Sequence, residues 1–456
     1  MLDVIVFGTG NYLQKYKKYL ENKEINIVAY LDNNINKCGM QIDNVYIFLP
    51  EYLKKLKFDY IILMSIDVYN MKKQLLELNV EKNKIWYIGQ LIEYVDNSYR
   101  ILLDNTKNCN EKVLIYTPPI IYDGGTRAVL NLSNVLTEIG YEVHIVSYNC
   151  NEKLINKINN PYIKIIEKNS LPYGTYNFIE TDKYKYVLVN SIILIKNAVE
   201  MAETNRVILW VHDPSVVYMN TKAQYNDYLS ENQLDRMEIY AVSDIANKSL
   251  KEYLGINNAR ILTCAAQDNA IKPFKRFNTT KIIFAIIGNI CKLKNQKIFT
   301  DAIKELPYFN NIDLEFYIIG RVSEKNYYNE IMNNIKGFDN IKYMGEYESS
   351  QMKELYNTID VVVCASVEET LSLTIVEGMM NKKVCITSSN TGVAKYINDY
   401  INGIVFENKD CKELSDKMAW VIKNIDKCEE IGENARKTFD NNFSVESFKK
   451  EILEIF

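Results

Sequence analysis

"VEETLSLTIVEG", Val367 to Gly378, sets a run of apolar and hydroxyl side chains between two acids, Glu369 and Glu377. Before it stands "IDVVVCAS", a β-branched run that reads as a buried strand, and after it "KVCITSS", which reads as the next. The connection is short and holds one helix, predicted from near Ser372 to near Met380. Two apolar strands joined through a helix make a parallel βαβ unit. Glu369 then lies in the loop at the first strand's carboxyl end and Glu377 lies a turn or more inside the helix, so the two acids need not share a helix face.

Outward from this unit, short apolar runs alternate with helical-period segments along most of the chain, which predicts parallel sheets covered by helices. The pattern divides into three blocks. Residues 1–95 include "DVIVFGTGNYLQKYKKYL": a strand ends in Gly8-Thr9-Gly10, a helix follows, and the next strand ends at Asp32. That is the layout of a dinucleotide site, with glycines admitting a pyrophosphate and an acid roughly twenty residues on for ribose. Leu13 occupies the third glycine position. A nucleotide site at Gly8, Gly10 and Asp32 and a plain tight turn both stay open. The polar residues 96–111 are expected as a linker. Residues 112–272 form the second block, with Gly124-Gly125 in a loop ahead of a helix and the strand "RVILWVHDPS" ending in His212-Asp213. Residues 273–456 form the third, and its last helix could cross back to the second.

At 456 residues, the chain is long enough for two or three domains, and 47% hydrophobic with 25% charged residues is a globular composition. Lys and Arg number 54 against 58 for Asp and Glu, so no overall positive field draws the chain to nucleic acid. Nine cysteines occur without a C-x-x-C pair or zinc-type spacing, which reads as free, mostly buried thiols and no metal site. No apolar run reaches membrane-spanning length, and cytoplasm is the default location. Peripheral membrane contact and oligomeric state stay open.

The start of the predicted helix, Leu371-Ser372-Leu373-Thr374, leaves backbone N–H groups unpaired at the positive end of a helix dipole. A diphosphate suits such a place, and carboxylates on either side suit neutral hydroxyls. The pair therefore fits a nucleotide sugar.

"ETLSLTIVE", Glu369 to Glu377, resembles the Glu-x7-Glu signature of GT-B glycosyltransferases of the family 4 type, glycosyl transferases group 1. "DGGTRAVLNLSNVLTEIGYEVHIVS", "IIGNICKLKNQKIFTDAI" and "NGIVFENKDCKELSDKM" extend the resemblance over roughly Lys112 to Phe456. It implies an α/β fold of GT-B type, two Rossmann-like domains facing a cleft, here preceded by a small Rossmann-like domain. It also implies a retaining transfer of a sugar from a nucleoside diphosphate sugar, with UDP the expected nucleotide, to a hydroxyl of a glycan, lipid-linked or protein acceptor. Glu369 then binds the donor sugar, Glu377 the ribose, the amides near Leu371, Ser372 and Leu373 face the diphosphate, and Lys294 stabilises the departing charge. His212 lies near the sugar, with Gly124, Gly125 and Asp213 on the acceptor side. Asn289 stands where the family commonly has an arginine, and Arg321 is the expected substitute. Ser372 replaces a usual glycine, and "AAQD", Ala265 to Asp268, stands where "NGVD" is common. No Asp-x-Asp occurs, so no metal and no cofactor are expected, the nucleotide sugar being substrate. The alternative is a nucleotide- or cofactor-binding regulatory protein with a silent glycosyltransferase-like body; epimerisation of a sugar nucleotide is a lesser rival.

Overall fold

A computed structural model describes the chain except residues 66–67, 107–110, 172–177, 220, 222–233, 276, 278–279, 310–311 and 349. Its strands form three sheets.

The first contains β1 (Leu2–Phe7), β2 (Ile25–Leu31), β3 (Gln41–Ile42), β4 (Val45–Phe48), β5 (Tyr60–Leu63) and β6 (Ile85–Tyr87), in the order β3-β4-β2-β1-β5-β6. Alternate residues of β1 feed two cores: Val4 and Val6 join Leu13 and Leu20 on one face, Ile5 and Phe7 join Met71 and Leu75 on the other. Burial on both faces is why this strand reads as a continuous apolar run.

The second sheet contains β7 (Arg100–Asp104), β8 (Lys112–Tyr116), β9 (Glu142–Ser147), β10 (Ile163–Glu167), β11 (Tyr186–Asn190), β12 (Val207–Val211), β13 (Met237–Ala241) and β14 (Arg260–Ile261), ordered β14-β13-β12-β11-β8-β9-β10-β7. Part of the expected linker is thus a strand: β7 pairs antiparallel with β10, Ile101 opposite Ile166. Arg100 anchors it, donating to the buried carboxylate of Glu167 at 2.5 and 3.0 Å. Residues 107–110 of that stretch lie outside the described residues.

The third sheet contains β15 (Lys281–Ile287), β16 (Asp313–Ile319), β17 (Ile341–Gly345), β18 (Val361–Cys364), β19 (Val384–Ser388) and β20 (Ile404–Phe406), ordered β17-β16-β15-β18-β19-β20. Phe284, Ile286, Val363 and Ile386 bury one face beneath flanking helices that contribute Phe299, Leu414 and Ile431.

The chain gathers into two compact units, Met1–Tyr240 with Ser249–Ala259, and Ala241–Lys248 with Arg260–Phe456. The first expected domain and most of the second therefore fall within one unit, while residues 241–248 and 260–272 of the second group with the other. The final helix, Val445–Ile455, groups with the second. Among the described residues no helix is long and apolar enough to cross a membrane. The described cysteines are free; Cys264, Cys364, Cys385 and Cys428 are buried and Cys38 is exposed.

Candidate functional site

In the second unit, the loop after β15 and the opening stretch after β18 meet. Gly320, at the end of β16, has φ +145°, and a Cβ there would lie 2.0 Å from the carbonyl oxygen of Gly288. Only glycine allows the two backbones to cross so closely. Gln296, fully buried, steadies the same loop by donating Nε2 to the Asn289 carbonyl at 2.8 Å. The loop then presents Lys294, whose Nζ bonds the Oε2 of Glu369. Ser366 Oγ donates to that same oxygen at 2.8 Å. Glu369 is held by its backbone as well, its N–H reaching Asn390 O and its carbonyl accepting from Gly392 N–H at 2.9 Å. Burial draws the Lys294 ammonium down, but the charge of Glu369 outweighs it and lifts the group above the ordinary lysine range.

The helix after Glu369 runs Leu373–Met380, as predicted. Ser372 precedes it in the left-handed region, φ 67° and ψ 78°, so it keeps the backbone conformation that a glycine would supply. Its Oγ donates to Cys364 Sγ at 3.3 Å and caps no amide. Ile375 and Val376 N–H bond back to the Ser372 carbonyl. The amides of Leu371, Ser372, Leu373 and Thr374 meet no acceptor among the described residues. Four successive N–H groups of this kind, around a left-handed residue and a helix start, have the geometry that suits an anion. Glu377 is 6% exposed inside the helix, and its carboxylate accepts from Tyr356 Oη at 2.7 Å.

Asn289 and Arg321 lie at neighbouring strand ends, where Ile290 N–H bonds the Arg321 carbonyl at 2.8 Å. Both side chains are exposed. Gln296, Ser366 and Tyr356 were not singled out from sequence. Ser366 had a signal, as a hydroxyl directly after an apolar strand and before the signature; Tyr356 had none, lying twenty-one positions from its partner.

In the first unit, Gly124 and Gly125 are the first residues of the helix Gly124–Glu138 and not a loop ahead of it. Asp123 caps that helix, accepting from Thr126 N–H at 2.8 Å. The cap places a carboxylate at the helix start, which disfavours an anion there. Asp213 is buried at the end of β12 and accepts from Ser191 Oγ at 2.7 Å and Ile192 N–H at 2.8 Å; burial raises its carboxyl. Neighbouring His212 packs edge-on to Trp210 at 4.1 Å, and burial lowers its imidazole to about 3, so it is neutral at pH 7. Asp32 does not stand free for a ribose. Thr9 Oγ1, Lys37 Nζ (2.8 Å) and Asn34 N–H (2.9 Å) all donate to it, and although burial raises it, these bonds leave it below the ordinary carboxylate range.

Residues 267–438 match the model described as glycosyl transferases group 1, and residues 1–86 match that described as C2185-like, N-terminal. A poly(ribitol-phosphate) alpha-N-acetylglucosaminyltransferase of Staphylococcus aureus is 25% identical over 243 residues, 53% of this chain. The chain spans only 43% of that relative's length. An uncharacterised glycosyltransferase of Methanocaldococcus jannaschii is 24% identical over 361 residues, 75% of this chain and 96% of its own. Among solved structures, a glycosyltransferase from Rickettsia africae superposes with a TM-score of 0.61 at 21% identity, covering 76% of this chain and 97% of its own. HepE of Anabaena, solved with UDP and glucose, gives 0.59 at 14% identity, covering 76% and 99%. These likenesses establish the fold.

Proposed function

We propose, for a chain whose residues 267–438 belong to the glycosyl transferases group 1 family on a GT-B framework, that it transfers a hexose or N-acetylhexosamine from a UDP-sugar to a hydroxyl of a bacterial glycan, glycolipid or protein, with retention. One observation carries the reading: Lys294 and Glu369 meet beside four acceptor-free amides, with Glu377 buried further along the same helix. The amides and Lys294 would receive the diphosphate. Glu369 would accept from sugar hydroxyls and Glu377 from ribose. The UDP held by the Anabaena neighbour supports the choice of nucleotide.

As the bond from the anomeric carbon to the diphosphate breaks, charge grows on the leaving oxygen. Donors already aimed there stabilise it; removal of one typically slows turnover by about 10²–10³-fold. Lys294 and the helix start supply this charge, and no Asp-x-Asp is present to hold a metal against the diphosphate. Transfer should therefore persist in excess chelator; reversible loss of turnover there would refute this part.

The test is incubation of the full chain with UDP-glucose, UDP-N-acetylglucosamine and GDP-mannose, reading nucleoside diphosphate release with and without glycan acceptors. Release from one UDP-sugar, lost in Lys294→Ala, is expected. A folded chain that releases UDP from none overturns the reading.

A further inference from the structure

The glycine turn of the first domain takes no part in the chemistry just described. β1 has β2 on one side and β5 on the other, so its carboxyl end is where the crossovers part. Open α/β sheets leave a ligand crevice at that point. Here a cleft of about 400 Å³ opens, lined by Thr9, Gly10, Asn11, Lys37 and Ser65 among others.

The two glycines have different reasons to be there. A Cβ on Gly8 would lie 2.5 Å from the Met64 carbonyl oxygen, and its φ is +109°, so the fold requires it. Gly10 has φ −96° and ψ −154°, which any residue adopts, and a Cβ there would meet nothing within 4 Å. Neither conformation nor packing explains glycine at 10; what its missing side chain preserves is open room in the cleft. The helix behind it, Asn11–Leu20, has no side-chain cap, and the amides of Gly10, Asn11 and Tyr12 meet no acceptor among the described residues. Lys37 Nζ lies 3.0 Å from Thr9 Oγ1, pinned there by Asp32. The acid's bonds are thus used to hold an ammonium over the turn.

We propose that this cleft is a second binding site, taking the phosphate of a small phosphate ester against Lys37 and the Gly10–Tyr12 amides, with the rest of the ester lying over Gly10. Nucleotide and sugar phosphate share that chemistry, and titration distinguishes them. The full chain carrying Lys294→Ala and Glu377→Ala, which silences the proposed donor site, is titrated calorimetrically with inorganic phosphate, UDP, ADP and glucose 1-phosphate. Where that double variant does not fold, the native chain is titrated and the number of sites counted. At least one probe should bind the first domain. Gly10→Val and Lys37→Gln should each weaken it about tenfold while leaving the thermal unfolding profile unchanged. The strongest probe names the ester. Binding by none of the four, or binding that neither substitution weakens, overturns the proposal.

Discussion

Lys294 and Glu369 hold each other. A diphosphate arriving at Lys294 must therefore compete with a carboxylate, whereas a sugar hydroxyl arriving at Glu369 gains one. Glu369→Gln should bind free UDP several-fold tighter, because its competitor is neutral, yet transfer sugar about 10²-fold more slowly; a hydrogen bond to a charged group contributes about 1.5–3 kcal/mol. Calorimetry with UDP and initial rates with the donor separate the two effects, and weaker UDP binding would sink the idea of competition. Ser372 offers a cleaner test. It sits at φ 67°, where a side chain costs about 1–2 kcal/mol, and among the described residues its hydroxyl reaches only a thiol. Ser372→Gly should raise the urea midpoint of the second unit by about 1 kcal/mol's worth. An unchanged or lowered midpoint would mean the Cys364 contact outweighs the strain. The two glutamates were legible in the sequence because a helix start between strands fixes where they go. Their partners were not, since Ser366 and Tyr356 reach them only through packing.

At the scale of elements, the crossing of Gly320 over Gly288 couples two strand ends that the sequence shows merely as "IIG" twice. Gly320→Ala would drive a Cβ into a backbone carbonyl and force the loop carrying Lys294 to move. Donor binding should fall at least tenfold while the circular dichroism spectrum stays near native; normal UDP affinity would show that the loop adapts. The contrast with Gly10, where a Cβ has room, is a contrast between a glycine the fold needs and one it does not. Elements buried on both faces, such as β1, β15 and β18, were readable from their apolar runs. β7 was not. "RILLD" is short, has exposed ends and is flanked by polar residues, and only the buried carboxylate of Glu167 gives Arg100 a reason to lie in a sheet. Lys37 was equally hidden, because its link to Asp32 and Thr9 depends on how the chain turns after β2.

For the whole molecule, pH tests what the fold does with its two histidines, His144 and His212. His144 is buried and His212 half-buried, and desolvation lowers both imidazoles, His212 to about 3, from an ordinary 6.5. His144 is lowered despite the Glu142 carboxylate 2.7 Å from its Nε2. The unfolded chain therefore binds more protons than the folded one below pH 6.5. The stability these groups contribute is complete above that pH and is lost as acid is added, until the folded state titrates too. Between pH 6.5 and 5, His212 alone removes about 2 kcal/mol, at 1.36 kcal/mol per unit. Asp213 beside it acts in the opposite sense, since its raised carboxyl takes a proton more readily in the folded chain and offsets part of the loss. Asp104 and Glu315 are held at about 2 by Lys164 and by Tyr317 with Lys281, so their losses begin only near the ordinary carboxylate range. The urea midpoint of the transition that includes the first unit should therefore fall between pH 7 and 5, before Asp104 and Glu315 contribute. His212→Phe, which keeps an aromatic ring against Trp210, should flatten that segment and leave the fall below pH 4.5 intact. A native chain whose midpoint does not move between pH 7 and 5, with a His212→Phe variant that behaves the same, would show that folding does not lower the His212 imidazole.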